Sequence, residues 1–283
     1  MDIQTGNGGS DMKTMKEWML GLAGLLMAAG YCGTAAAAGV KPAHDHGTAC
    51  ALLPGRDGLV DAVRQVLADG GNGGIGAQVW AALVDRDGSL CAIVFSGAAR
   101  GDQIPAGRLV SVQKAYTANA SSVPGFAFST ANLYSQVQPG GMLYSLPGTA
   151  VLDAAPALRG HPDRYGTARD PLLGRRLGGS TVLAGGLALY DAQGRLLGGL
   201  GISGDLPCTD HIVAWKVRDT LALDFVPFGP APDGSDNIVH DIAPNPAGGS
   251  GISASGWGYP VCTPQATEIA AALPVTHPLG GRE

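Results

Sequence analysis

The chain has 283 residues, 45% of them hydrophobic and 14% charged, which is enough for one large domain or two small ones with a real core. A formal net charge of −5 leaves no basic field to neutralise phosphates, so nucleic acid is excluded as a partner, and the single long apolar stretch at the N-terminus excludes a multi-span membrane protein. With 45 glycines and 19 prolines, turns should outweigh helices.

In chain order, Lys13 and Lys16 precede the apolar run 18–29 and then the small residues 35–38. This is the basic, apolar and small-residue order of a cleaved secretory signal, assigned to residues 1–38 with 1–11 as an over-long start. Tyr31 before Cys32 fits a lipid-attachment box badly. The expected location is therefore periplasmic or secreted, with no membrane span after cleavage. Loss of Cys32 leaves Cys50, Cys91, Cys208 and Cys262, which in an exported chain predicts two disulfides among three possible pairings. No Cys-x-x-Cys occurs, so a zinc ribbon, a redox dithiol and attached c-type haem all lack their marks.

Leu59, Val63, Val66 and Leu67 recur at helical spacing and predict a helix over 58–68 with Asp57 as its N-cap. Strands over 79–84 and 90–95 flank Asp85-Arg86-Asp87-Gly88, where the glycine can take positive φ and close a hairpin. A helix over 106–120 follows Pro105. A second hairpin repeats the first: residues 189–196 match 83–90, and each hairpin ends in Ser-Gly, at Ser96-Gly97 and Ser203-Gly204. A helix over 210–223 then carries Val213, Val217 and Leu221 as one apolar stripe. The order predicts an α+β fold with one antiparallel sheet, spanning 39–226 with a loop-rich insertion around 125–179 and a Pro/Gly-rich arm over 227–283.

The first hairpin running into Gln113-Lys114-Ala115-Tyr116-Thr117-Ala118, and Gly198-Gly199-Leu200-Gly201-Ile202-Ser203-Gly204 followed by Asp210 and Ala214, resemble the GlcG/HbpS-like haem-binding domain family. The resemblance covers about 57–223 and implies a sheet of about five strands packed with helices, a homo-oligomer, and non-covalent binding of haem or a similar small planar ligand. The signal, the four mature cysteines, the segment 148–177 and the arm depart from the compact family pattern.

Gly71-Asn72-Gly73-Gly74-Ile75-Gly76 spells a dinucleotide fingerprint but follows a helix and precedes a strand, the reverse of what a pyrophosphate site needs. Gly199 and Gly201 lie in a strand, where missing side chains admit either a ligand or a neighbouring helix. His211, Trp215 and Arg218 share one helix face and together suit a flat anionic ligand, with His211 as the haem-iron ligand and Arg218 near a propionate. The alternative is a hydrogen-bonded histidine with Trp215 packed under the arm. Lys114 and Thr117, one turn apart on the second helix, suit a carboxylate or serve only in packing. His44 and His46 belong to an N-terminal arm without a third metal ligand nearby. No G-x-S-x-G, H-E-x-x-H, P-loop or EF-hand spacing occurs. A ligand groove is expected between the bare strand surface of Gly198, Gly199 and Gly201, the His211 and Arg218 face of the helix that follows, and the second helix carrying Lys114. Two other functions stay open: a small-molecule enzyme of oxidation or acid metabolism in the same groove, with Lys114, Asp210 and His211 as acid-base groups, and a non-catalytic assembly subunit. Because Cys208 opens the last helix and Cys262 ends an arm that cannot fold alone, Cys208–Cys262 and Cys50–Cys91 are the expected bridges.

Signal cleavage predicts a mature N-terminus between about Ala36 and Val40. Intact-mass analysis of exported material reads this directly, and retention of Trp18 would refute it.

Overall fold

The computed structural model describes residues 49–146, 152–249 and 251–280. The expected signal segment, Cys32, His44 and His46 lie outside them. Helix α1 (Arg56–Asp69) buries Leu59, Val60, Val63 and Val66. Its N-cap is Gly55, and Asp57 sits instead in the first turn, where its charge complements the helix dipole. Strands β1 (Trp80–Asp85) and β2 (Leu90–Phe95) form the first hairpin, and Gly88 in the turn has φ +80°. Helix α2 (Gly107–Ser121) follows. Strands β3 (Gly186–Tyr190) and β4 (Leu196–Ser203) form the second hairpin, and helix α3 (Pro207–Thr220) starts with proline in its first turn, where the missing N–H costs nothing.

The fold is α+β. The sheet has the order β2-β1-β4-β3, antiparallel throughout, so the two hairpins join through their inner strands with Trp80 opposite Ser203 and Asp85 opposite Gly198. It has four strands where about five were expected. Its two edges are closed by irregular chain: the Leu90 N–H donates to Arg175 O (2.9 Å) and the Gly174 N–H to Leu90 O (2.9 Å) at one edge, and the Thr130 N–H donates to Gly186 O (3.0 Å) at the other. Such pairing blunts an edge without a full strand.

Helix α2 covers one face of the sheet, and α1 and α3 cover the other. Every residue of β4 is buried, and its Gly199 and Gly201 lie directly under α2. A methyl group on Gly199 would overlap Ala115 O, one on Gly201 would overlap Ser111 O, and one on Gly186 of β3 would overlap Lys114 O. The helix backbone itself therefore rests on the sheet.

The arm is more ordered than its composition suggested. It contains a two-strand ladder, β5 (Ile242–Ala243) with β6 (Ile252–Ser253), and a helix α4 (Pro264–Thr276) that packs on α3 through Ala266, Ala270 and Leu273. Thr263 Oγ1 caps α4 by accepting the Ala266 N–H (3.0 Å), with Pro264 opening the first turn. Cys208–Cys262 and Cys50–Cys91 are both bonded, with Cα separations of 6.0 and 5.4 Å. The sulfurs of the second bridge lie beside the buried Asp85 carboxylate, but as a disulfide they do not form a metal-ligand set.

Three buried ion pairs tie the layers together. Arg218 on α3 is paired with Asp236 of the arm through both terminal nitrogens (2.7 and 2.8 Å), with neither side chain exposed. Lys114 on α2 meets Asp210 on α3 (2.7 Å), and Arg108 on α2 meets Asp170 of the insertion (3.0 Å from Nε). Removing one partner of such a pair strands a charge, so Asp236→Ala should cost about 3–5 kcal/mol in urea unfolding, while the double change Arg218→Met with Asp236→Leu should cost far less. Gly201→Ala should cost about 1–3 kcal/mol or more through overpacking against α2; near-neutral stability would mean the glycine is not needed for this contact. Reducing Cys208–Cys262, whose partners are 54 residues apart, should remove about 4 kcal/mol in the chain-entropy model.

Candidate ligand-binding site

The sequence placed a groove between the bare face of β4, helix α2 and the His211 face of α3. The structure fills it. The glycines admit the backbone of α2 and not a ligand, which corrects the assignment of Gly199 and Gly201 as cofactor contacts.

The side chains expected in the groove are each engaged in the interior. Lys114 is 1% exposed, and its Nζ donates to Ile202 O (2.8 Å) and Asp210 Oδ2 (2.7 Å). Burial lowers the Lys114 pKa against the pull of Asp210, and burial pushes Asp210 up to about 6 although Lys114 favours its charge. Thr117 Oγ1 donates to Gln113 O (2.8 Å) and accepts the Thr181 N–H (3.0 Å), which pins the chain entering β3. Trp215 Nε1 donates to His277 O (2.9 Å), so the indole packs under the arm.

His211 is fully buried. Its Nε2 lies 3.2 Å from Asn237 Oδ1 and 3.1 Å from the Ile238 N–H, while Nδ1 has no partner. Burial holds its pKa down to about 4, so the ring is neutral at ordinary pH. Arg218 spends both terminal nitrogens on Asp236 and one also on Ala188 O (3.1 Å), with its guanidinium carbon 4.9 Å from the centre of the Trp215 ring. A haem needs an accessible ring nitrogen, room for a flat macrocycle and cations for its propionates. His211, Trp215, Arg218, Lys114 and Thr117 as placed do not meet those needs, because arm residues 236–238 and α4 occupy the space before the His211 face.

The glycine-rich loop 70–76 is also internally satisfied. Its Ile75 N–H (3.0 Å) and the following Ala77 N–H (2.9 Å) donate to the Asp205 carboxylate, so the chain's own acid sits where an anion would. Lys216 Nζ holds the other end through Gly70 O, Gly71 O and Asn72 Oδ1.

Open, chemically equipped surface lies instead on the insertion. Residues 158–176 carry Arg159, Arg164, Arg169, Arg175 and Arg176, all exposed, against Asp163 and the buried Asp170. Arg159, Arg175 and Arg176 line a cavity of about 390 Å³ with Asp153, Ala155, Pro156 and Gly174. His161, two residues from Arg159, has a side chain 70% exposed, and its Nδ1 takes the Asp163 N–H (3.4 Å). The sequence reading passed over this region as a loop. The signal available was charge patterning: five arginines in nineteen residues of an acidic chain.

Among curated proteins the chain has no match. Solved structures similar to it include those of three proteins. These are the Klebsiella pneumoniae protein ORFY (20% identity over 58% of this chain and 86% of that one, TM-score 0.40), PduOC in a haem complex (22%, 58% and 89%, 0.39), and a double mutant of Streptomyces reticuli HbpS (17%, 59% and 86%, 0.38). The model of the family described as haem degrading protein HbpS-like matches residues 59–218, from within α1 to near the end of α3. That is more than half of the chain, and the protein belongs to the HbpS-like family.

Proposed function

We propose that the protein is an exported, disulfide-bonded member of this family that binds haem non-covalently on the surface of its insertion, with His161 as the ligating ring. The family match over 59–218 is the observation that carries the haem reading. Two bonded disulfides support export, because such bridges persist in oxidising compartments. The exposed imidazole of His161, the neighbouring arginines and the exposed Leu158 supply the three chemistries a haem uses: a nitrogen for iron, cations for propionates and an apolar contact. Self-association, implied by the family resemblance, belongs to the same proposal. The enzyme alternative loses its carriers, since Lys114, Asp210 and His211 are closed off from substrate.

Haemin titration of the mature protein should give a saturable Soret band. His161→Ala should weaken or abolish it, whereas His211→Gln should leave it intact. A folded His211→Gln protein that loses the band would restore the interior site, and no saturable band in the unaltered protein would end the haem reading. The same variant has a pH signature. Burial lowers the pKa of His211 from 6.5 to about 4, so the neutral ring's contribution is complete above pH 6.5 and is lost as pH falls towards 4. His211→Gln should flatten the stability curve across that window.

A further inference from the structure

We propose that the cavity bounded by Arg159, Arg175 and Arg176 is a binding site for a small organic ligand with two separated carboxylates. Three arguments carry the inference.

The first is a local excess of positive charge, three arginines against Asp153 and Asp87. Arg176 is already engaged, with Nε donating to Ser89 Oγ (3.1 Å) and Nη2 to Asp87 (3.3 Å). Arg159 and Arg175 have no side-chain partner among the described residues, although they face one cavity. The acid on the wall, Asp153, accepts the Ala155 N–H (3.1 Å). In a chain of net charge −5, two unpaired guanidinium groups beside a third mark a place built for anions.

The second is preorganisation. Arg175 is fixed by its backbone, because Arg175 O accepts the Leu90 N–H (2.9 Å) and Arg175 N donates to Leu172 O (2.9 Å). Ser89 and Arg176 form an antiparallel bridge at the edge of β2. Asp153 N donates to Leu177 O (2.9 Å), which joins the opposite wall to the same strip. Arg159 is fixed through its carbonyl, which accepts Tyr165 OH (3.2 Å), and the Tyr165 ring lies 3.7 Å under the guanidinium of Arg108. Arg108 in turn is locked by Asp170, which also accepts the Gly166 N–H (2.8 Å) and the Leu172 N–H (2.9 Å). The backbones of the arginines therefore stand on a buried network tied to α2, and the order left to impose on binding is that of their side chains.

The third is size. A cavity of about 390 Å³ suits a small organic molecule better than one compact ion. With Arg159 and Arg175 on different segments of its wall, the matching ligand presents one carboxylate to each planar fork. A free dicarboxylic acid and the propionate edge of haem share this chemistry. The haem arm rests on the function proposed above, and the free-acid arm does not.

Succinate is the probe for the free acid and haemin for the propionate edge. Calorimetric titration at low salt should show saturable succinate binding, weakened about tenfold for each of Arg159→Gln and Arg175→Gln, as expected for a charge-assisted hydrogen bond. Both side chains are exposed, so unchanged thermal unfolding of the double variant is the folding control. If haemin affinity falls with succinate affinity in the double variant, the ligand is the propionate edge. If succinate binding is lost and haemin binding is unchanged, the ligand is a free dicarboxylate. Absence of saturable succinate binding in the unaltered protein, or equal binding by the double variant, overturns the site. A missing Soret band in the unaltered protein would remove the haem reading alone and leave the succinate result to decide.

Discussion

The close approach of helix α2 to strands β3 and β4 is the contact on which the rest of the molecule depends. Gly186, Gly199 and Gly201 present no side chain, so the carbonyls of Ser111, Lys114 and Ala115 come down onto the sheet. Ordinary helix-on-sheet packing is mediated by side chains, whereas here backbone meets backbone over three residues. That closeness sets where Lys114 ends, deep enough for its ammonium group to reach both Ile202 O and the carboxylate of Asp210 on α3. It also leaves the glycines of β4 covered by helix backbone.

On the other face of the sheet α3 is covered in turn by the arm, which begins beyond the matched family segment. Asp236 neutralises Arg218, Asn237 and the Ile238 N–H engage His211, His277 O receives the Trp215 indole, and Cys262 is bonded to Cys208. Apart from the disulfide, each contact takes a polar group of α3 that would otherwise need water or a ligand and gives it an internal partner. The arm thus completes the core. Its helix α4 adds an apolar layer of Ala266, Ala270 and Leu273 over α3.

The insertion follows a different rule. It lends Leu172 and Leu177 to the core beneath α2, with Leu152, Tyr165 and Leu173 packed against them, and polar anchors fix it further: Asp170 under Arg108, Tyr165 against the same guanidinium, and single backbone bridges to the edge of β2. Between those anchors Arg159, Arg164, Arg169 and Arg175 face solvent. Functional chemistry on loops borne by a rigid scaffold is the common arrangement, and here the scaffold is the sheet with α2.

Local pattern alone determined much of this protein. The 3.6-residue spacing of Leu59, Val63 and Val66, the Asp-Gly turn at Asp87-Gly88, its repeat at Gln193-Gly194, and the Val213 and Val217 stripe of α3 were legible because helix and hairpin signals act over a few residues. Helix α4 was legible in principle from Thr263-Pro264 and the alanines behind it, but the glycines before it masked the signal. The disulfide pairing followed from one topological consideration, that an arm without its own core needs a tether. What the tertiary structure decided was which polar groups are spent. His211 and Arg218 look like ligand groups on a helical wheel, and only the return of residues 236–238, eighteen or more positions away, makes them interior. Arg159 and Arg175 look like solvated loop residues until a strand edge and a buried aspartate bring them around one cavity. Burial and ion pairing are long-range in sequence, so residue type and spacing supply candidates while three-dimensional packing determines which of them remain open to a ligand.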